Sequence, residues 1–307
     1  MTEKIGVAVG LGEVLWDLLP QGKQLGGAPA NFAYMAALLG HRGVVASSAG
    51  RDALGDELRR RLVELGLDAS FLQLDAAHPT GTVKVHLDAE GQPAYEITES
   101  VAWDFLEWTP SWRQLAATAG VICFGSLAQR SLQSRAAIQE FLAAAPQPFS
   151  GSGLRIFDVN LRQQFFSADV LSESLRLANV AKLNDMELPV VMRELGLSFD
   201  NEAASAERLR RAFGLKLVCV TRGSKGSLLV SDGERDEHPG FPVRVVDSVG
   251  AGDAFTAALA HHLLRGSSLR ATNEAANRMG AWVASESGAT PPPDSDVIKL
   301  VLAPERA

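Results

Sequence analysis

The chain has 307 residues, of which 46% are hydrophobic and 21% are charged, and its formal net charge is −7. The apolar fraction is too high for a disordered chain, and an acidic chain with scattered charges lacks the basic face that a nucleic-acid-binding protein needs. The length allows two domains or one large α/β unit, and either can bury a sizeable core.

The beginning of the chain does not resemble a signal peptide, because glycines and two acidic residues, Glu13 and Asp17, interrupt the region where the apolar segment would lie. No segment approaches the ~18 consecutive apolar residues that a membrane-spanning helix needs. We therefore expect a soluble, cytoplasmic protein with no membrane partner.

Apolar runs typical of strands buried on both faces alternate with helical patterns along most of the chain. The predicted strands are residues 5–11, 43–47, 120–124, 155–159, 180–183 and 216–220. The predicted helices are residues 31–39, 56–65, 131–144 and 203–213. This alternation predicts a doubly wound α/β fold.

Two segments predict antiparallel hairpins. Residues 82–98 alternate apolar and polar side chains around a turn at residues 88–91, which is typical of a small β flap with one solvated face. A second hairpin is predicted at residues 227–230, with residues 231–233 as its turn. The proline run at residues 291–293 predicts the end of the last helix.

The two cysteines, Cys123 and Cys219, each lie within an apolar run that is predicted to be a strand. Neither belongs to a CxxC motif or a Cys/His cluster, so a structural zinc site or a disulfide framework is not indicated. We expect two buried thiols.

The most distinctive segment is a glycine-rich turn that leads into the predicted helix 256–264; residues 246–255 read VDSVGAGDAF. Unpaired backbone N–H groups at such a helix start form an anion site, and the helix dipole favours the anion. Asp253 can be a capping residue or a functional group there. Two glycines two residues apart favour function, because so much backbone freedom beside a buried helix is costly.

A second glycine-rich turn, LGGAPANFA at residues 25–33, also leads into a helix, and Asp17 lies upstream of it after the first strand. Ligands of open α/β sheets bind beyond the carboxyl ends of the strands. Asp17 and Asn31 can therefore hold hydroxyl groups of a ligand. The alternatives are a solvated loop acid and a helix cap.

Other nucleotide and catalytic motifs are not found in the sequence. It has no GxxxxGK[ST] segment, and residues 250–255 lack the third glycine of the dinucleotide-binding motif. Signatures of zinc proteases, serine hydrolases and protein kinases are also missing.

Taken together, GGAPAN at residues 26–31 and DSVGAGDAF at residues 247–255 resemble the two signatures of the PfkB/ribokinase family of carbohydrate kinases. The resemblance extends from about Gly10 to Pro293. It implies a single ribokinase-like domain over residues 1–307, with a doubly wound, mostly parallel sheet flanked by helices. A small β lid is implied at about residues 81–100 and near residues 14–25, and lids of this family often pair into homodimers.

Members of this family transfer the γ-phosphoryl group of ATP to a sugar hydroxyl. By the resemblance, Asp253 is the catalytic base, and Gly250, Ala251 and Gly252 form the anion hole that faces the phosphoryl group. An aspartate of ordinary pKa, ~3.9, is ionised at neutral pH and can take the hydroxyl proton.

The resemblance also implies the binding residues. The sugar-binding positions are Asp17, Gly26, Gly27, Asn31 and Arg162, the last of which has a surface ion pair as its alternative. The nucleotide-binding positions are Asn184, Glu187, Thr221, Gly223, Gly226 and Asn277. Glu187 would help to organise Mg²⁺ through water, as suits a hard oxygen ligand, and a possible K⁺ would take oxygens near Asp247, Val249 and Ser287.

The form of the first signature resembles fructokinases more than ribokinases, so we expect fructose as the acceptor. Trp103 and Phe105 can either close over the sugar or belong to the core. Alternatives within the class are 2-keto-3-deoxygluconate, ribose or another sugar. A non-catalytic sugar- or nucleotide-binding protein is disfavoured by the intact Asp253 and anion hole, and a nicotinamide-dependent dehydrogenase by the missing third glycine.

Overall fold

The computed structural model describes residues 6–19, 22–87, 93–146 and 153–303, and only the backbone of residues 85–87 and 93–95. The strands are β1 (Val7–Leu11), β2 (Leu15–Leu19), β3 (Gly22–Gly26), β4 (Arg42–Gly50), β5 (Leu72–Asp75), β6 (Thr82–Leu87), β7 (Pro93–Ile97), β8 (Ala119–Phe124), β9 (Leu154–Asp158), β10 (Val180–Asn184), β11 (Leu217–Thr221), β12 (Ser227–Ser231) and β13 (Arg235–His238).

The α-helices surround the strands and account for most of the remaining regular structure. They are α1 (Ala28–Leu38), α2 (Ala53–Glu64), α3 (Pro110–Thr118), α4 (Leu132–Ala144), α5 (Ala168–Leu177), α6 (Glu187–Glu194), α7 (Glu202–Phe213), α8 (Ala251–Leu264), α9 (Leu269–Ala284) and α10 (Ser295–Leu302).

Within the described residues, nine strands form one large sheet in the order β13-β12-β11-β10-β9-β8-β1-β4-β5. The strands from β11 to β5 run parallel, whereas β12 and β13 are antiparallel to their neighbours. The predicted doubly wound fold is therefore confirmed, and so is the hairpin predicted at residues 227–230.

The large sheet is buried on both faces because successive side chains of each strand point in opposite directions. In β1, Val9 belongs to the core cluster that includes helices α3 to α7 on one face, and Ala8 belongs to the cluster that includes α1, α2, α8 and α9 on the other. Cys123 and Cys219 are buried on this second face, which confirms the expectation of two core thiols.

A separate four-stranded sheet has the order β3-β2-β6-β7. The strands β6 and β7 are antiparallel and form the hairpin predicted from alternation, but its turn at residues 88–91 lies outside the described residues. The first half of this sheet, β2 and β3, comes from the segment between β1 and α1. This small sheet is therefore built from two distant parts of the chain.

The prediction that the prolines at residues 291–293 follow the last helix is wrong. Helix α9 ends at Ala284, and α10 begins after the prolines with Asp294 as its N-cap. The Asp294 side chain accepts the backbone N–H groups of Asp296 and Val297, and this restarts the helix. Among the described residues, every helix is too short or too polar to cross a membrane.

Candidate active site

The carboxyl ends of the parallel strands meet at one edge of the large sheet, where ligands bind in open α/β folds. The turns after β1, β9, β10 and β11 lie at this edge. Asn31 of α1 and Asp253 of α8 are 222 residues apart in sequence, and the Asn31 Nδ2 donates a hydrogen bond of 2.8 Å to the Asp253 Oδ2. The fold thus brings the two glycine-rich turns of the sequence into contact.

Asp253 does not cap its helix. The N-cap of α8 is Gly250, which has a left-handed backbone with φ +78°, and Asp253 lies in the first helical turn. A Cβ at Gly250 would lie 2.5 Å from the Cβ of Ala289, so glycine is required there for space as well as for conformation. Because its carboxylate faces Asn31, Asp253 fits a functional group better than a cap.

The surroundings of Asp253 raise its pKa to about 7. Burial of the carboxyl is the largest cause and the charge of Asp158 is the next, while the Asn31 hydrogen bond, Lys182 and Arg162 lower the pKa in part. The expectation of an ordinary pKa is therefore wrong. Burial in the cleft penalises the charged form, and composition or spacing does not reveal that penalty.

Glu13 is an acidic residue of the site that the sequence did not identify as functional. It follows β1 and is only 3% exposed, and burial is the main reason why its pKa is raised to about 7. The charge of Arg162 lowers this pKa and that of Asp253 raises it, and the Glu13 Oε2 is without a partner among the described residues. An acid directly after an apolar buried strand is the signal that could have identified it.

The acceptor side of the site combines β2, the turn before α1 and the turn after β9. Burial raises the pKa of Asp17, in β2, to about 6, and the charge of Arg162 opposes this rise. A Cβ at Gly26 would overlap the Asp17 carboxylate, and one at Gly27, where φ is +104°, would lie 2.6 Å from the Glu13 carbonyl oxygen. These glycines let the turn approach both acids closely.

Arg162 is exposed, and its guanidinium donates to the Leu161 carbonyl oxygen at 3.1 Å. Its charge lowers the pKa values of Glu13, Asp17 and Asp253. The structure thus places Arg162 near the acids of the site, as the functional interpretation requires and a remote surface ion pair would not.

A buried ion pair lies beneath the first turn of α8. The Lys182 Nζ donates to both carboxylate oxygens of Asp158, at 3.0 and 3.1 Å, and the Thr256 Oγ1 donates to the Asp158 Oδ2 at 3.2 Å. A Cβ at Gly252 would lie 2.9 Å from the Lys182 Nζ. Sequence reasoning missed this pair, although charged residues inside two strongly apolar strands are a signal for it.

Asn184 and Glu187 form a reciprocal pair at the start of α6. The Glu187 backbone N–H donates to the Asn184 Oδ1, and the Asn184 backbone N–H donates to the Glu187 Oε2, both at 2.8 Å. The Glu187 Oε1 accepts the Leu161 N–H at 2.7 Å. Glu187 therefore fastens the turn after β10 to the turn after β9, and its oxygens keep further lone pairs for water.

The other positions expected to bind nucleotide lie on neighbouring elements. Thr221 is the register partner of Asn184, and Gly223 and Gly226 have φ values of +58° and +81°. Asn277 is buried in α9, where its Nδ2 donates to the Ser227 Oγ at 2.7 Å. Its amide group thus belongs to a buried network.

The candidate cation positions surround Asp247. Its carboxylate accepts the Val249 N–H at 3.0 Å and the Gly288 N–H at 3.1 Å, which ties the turn before α8 to the segment after α9. Val249 and Ser287 are both exposed. Within the described residues no group of three or more His, Cys, Asp or Glu side chains could hold a metal ion.

Trp103 belongs to the core and not to the surface of the site. It is fully buried, and the Arg130 guanidinium lies 4.1 Å from its ring centre. Phe105 is half-buried, and its ring stacks on His78 with 3.5 Å between ring centres. The core alternative is therefore correct for Trp103.

Comparison with known proteins gives consistent matches to one family of enzymes. A model of the pfkB family of carbohydrate kinases matches residues 20–296. The fructokinase of Escherichia coli is 32% identical over 272 residues, which cover 84% of each chain.

The fold also matches solved structures along its whole length. An uncharacterized sugar kinase of Pyrococcus horikoshii superposes with a TM-score of 0.80 at 26% identity, over 98% of this chain and 100% of the other. A fructokinase of Vibrio cholerae, solved with fructose, ADP and a calcium ion, superposes with a TM-score of 0.77 at 26% identity, over 97% and 99%.

Proposed function

We propose that this chain, which belongs to the pfkB family of carbohydrate kinases, phosphorylates fructose. As a member of that family the chain is a sugar phosphotransferase. The observation that carries the choice of fructose is the similarity to fructokinases, at 32% identity to the one of Escherichia coli. The hydrogen bond between Asn31 and Asp253 supports the site itself, because it joins the turn that would hold the sugar to the proposed base.

The chemistry follows from the position of Asp253 at the start of α8. An acceptor hydroxyl oxygen forms a bond to the γ-phosphorus of ATP, and the bond from that phosphorus to the bridging oxygen breaks, with its electron pair leaving on ADP. The hydroxyl proton passes to the Asp253 carboxylate, whose pKa of about 7 suits proton transfer near neutral pH. The backbone N–H groups of Gly250, Ala251 and Gly252 would stabilise the charge of the phosphoryl group, for which the Ala251 N–H would leave the Ser248 carbonyl oxygen to which it donates at 3.3 Å.

The charges of the acceptor side favour a neutral sugar. Glu13, Asp17 and Asp253 all lie close enough to Arg162 for its charge to affect their pKa values. A sugar carboxylate such as that of 2-keto-3-deoxygluconate would be attracted by Arg162 and repelled by those of the three acids that are ionised, whereas the hydroxyl groups of a neutral sugar can bond to the acids in either protonation state. We infer that Asp17, Asn31 and Arg162 bind hydroxyl groups, with Gly26 and Gly27 shaping the turn.

The nucleotide side would bind ATP with Mg²⁺. The described residues offer no cluster of three ligands, so the ion would be bound by the phosphates and reached by Glu187 through water. Such an ion neutralises phosphate charge. Asn184, Thr221, Gly223, Gly226 and Asn277 are proposed to bind the nucleotide.

A potassium ion is proposed behind the anion hole, with oxygens from Asp247, Val249 and Ser287. The Asp247 carboxylate already joins the two segments that would supply these oxygens. Activity should be higher in potassium than in a large organic cation. Equal activity in both would rule the site out.

We propose that the small sheet, from about residues 81–100 and 14–25, acts as a lid over the sugar. Residues 1–307 are proposed to form one domain that includes this lid. We further propose that two lids pair into a homodimer. Equilibrium sedimentation at micromolar concentration should give twice the monomer mass, and a monomer alone would contradict this.

The test of the substrate is ADP release from Mg-ATP with fructose, 2-keto-3-deoxygluconate, ribose, glucose and adenosine, with Asp253→Ala alongside. We expect the largest kcat/KM with fructose, and a loss of about 10²–10⁴-fold in the variant. Turnover with another sugar alone would keep the kinase and reject fructose. ATP binding without turnover of any sugar would favour a binding protein.

A further inference from the structure

The ion pair of Lys182 and Asp158 is not explained by the stability of the fold. The two residues are register partners on β10 and β9, and both are almost fully buried. Removing two charges from water is costly, and replacement of such a pair by apolar side chains is often neutral or stabilising. A buried pair at the edge of a catalytic cleft therefore calls for another role.

The geometry connects the pair to the anion hole. Gly252 is helical and needs no left-handed backbone, yet a side chain there would come within 2.9 Å of the Lys182 Nζ. The glycine thus leaves the ammonium group directly beside the backbone that would face the phosphoryl group. The Thr256 Oγ1 lies 2.9 Å from the Gly252 carbonyl oxygen and 3.2 Å from the Asp158 Oδ2, so its single proton is shared between these two acceptors and links α8 to the pair.

The charged groups around Lys182 also favour a role for its ammonium group at the anion hole. Asp158, Glu187 and Asp253 all act on Lys182 and raise its pKa, more than offsetting the opposite effect of burial. The charged form of the ammonium group is therefore favoured.

We propose that Lys182 takes part in phosphoryl transfer: its ammonium group, oriented by Asp158 beneath Gly252, stabilises the negative charge of the phosphoryl group in the anion hole. Asp158 and Thr256 are positioning residues that hold the ammonium and the helix together. This inference rests on the phosphotransferase activity, and it holds whichever sugar is the acceptor.

Four variants test the role, each assayed with the best acceptor of the unaltered enzyme: Lys182→Met, Asp158→Asn, the double variant Lys182→Met/Asp158→Asn, and Arg155→Met. Arg155 is a matched control, because it is a buried cation near the start of β9 whose guanidinium donates to the backbone carbonyls of Leu177 and Pro146. Thermal unfolding of every variant shows whether it folds.

We expect Lys182→Met to lower kcat by about 10²–10³-fold with little change in the KM of the sugar, as for the loss of one oxyanion donor. The double variant removes both charges and leaves no unpaired buried ion, so it should fold and remain slow. Arg155→Met should lose stability and keep its kcat. A folded double variant with the kcat of the unaltered enzyme would overturn the proposal.

The pH profile separates this role from a merely structural one. The charged groups that act on Asp253 are Asp158, Lys182, Arg162 and Glu13. The loss of an acid among them lowers the pKa of Asp253, and the loss of a cation raises it. The acid limb of kcat/KM should move to higher pH in Lys182→Met and to lower pH in Asp158→Asn. If both variants move it in the same direction, the proposed arrangement of charges is wrong.

Discussion

At the scale of single residues, the proposed base has a pKa that is matched to neutral pH by opposing neighbours. Burial and the charge of Asp158 raise the pKa of Asp253, while Asn31, Lys182 and Arg162 restrain the rise to about 7. A base is effective when it is unprotonated at the working pH and still basic enough to accept a proton. The pH dependence of the rate therefore reports on these neighbours directly.

We predict that kcat/KM for the acceptor falls as the pH is lowered through about 7, because protonated Asp253 cannot take the hydroxyl proton. Initial rates measured between pH 5 and pH 9 give the profile. Asn31→Ala should move the acid limb to higher pH, since the Asn31 hydrogen bond lowers the pKa of Asp253.

Asp296→Asn is the matched control for this experiment, because Asp296 is an exposed acid of α10. Its profile should coincide with that of the unaltered enzyme. A rate that is constant from pH 5 to pH 7 would show that Asp253 is not the titrating base.

At the scale of elements, the position of the turn at Gly26 and Gly27 before α1, here called the acceptor turn, depends on how closely α1 packs against β1. Gly10 lies in β1, and a Cβ there would overlap the carbonyl oxygen of Pro29 in the first turn of α1. This approach places Asn31 two residues further along the helix, within reach of Asp253. A strand glycine thus sets the position of a binding residue.

We predict that Gly10→Ala lowers the free energy of unfolding by about 2–3 kcal/mol, because the added methyl group forces β1 and α1 apart. Gly120→Ala is the matched control on the adjacent strand β8, where the nearest atom to the new Cβ lies 3.6 Å away. Its effect should stay within about 1 kcal/mol. Urea unfolding of both variants measures the difference, and equal values would contradict the close approach.

At the scale of the whole molecule, the site is a source of instability. Glu13, Asp17 and Asp253 have raised pKa values, of about 7, 6 and 7, so the folded protein binds protons more tightly than the unfolded chain. Their contribution to the free energy of unfolding therefore falls as the pH rises from about 4 to about 7. The protein holds these acids together in spite of that cost.

We predict that Asp253→Asn stabilises the protein, and that the gain grows by about 1–3 kcal/mol between pH 5 and pH 8. The reason is that the amide removes a buried charge that the folded state must carry only at the higher pH. Thermal or urea unfolding of the variant and the unaltered protein at both pH values measures it. A gain that is the same at both would mean that Asp253 titrates normally.

Local patterns in the sequence predict β1, β4, β8 to β11, the helices α1, α2, α4, α7 and α8, both hairpins and the two glycine-rich turns, but not β5, α3, α5 or α6. These features depend on residues close together in the chain, because apolar alternation and helix-start chemistry are local. The sequence analysis did not predict helix α10 after the prolines, although its capping residue Asp294 is a local signal. The positions expected to bind sugar and nucleotide came from the two turns and their resemblance to a family.

The environment of the site depends on contacts between residues that are far apart in the sequence. Asn31 meets Asp253 across 222 residues, Glu13 is buried beside the acceptor turn, and Lys182 pairs with Asp158 under α8. The pKa of Asp253 depends on these neighbours and on the exclusion of water from its carboxyl group. Both effects add up over groups that are distant in sequence. Local patterns in the sequence indicate that the carboxylate of Asp253 is functional, but its charge state depends on the neighbours that folding brings to it.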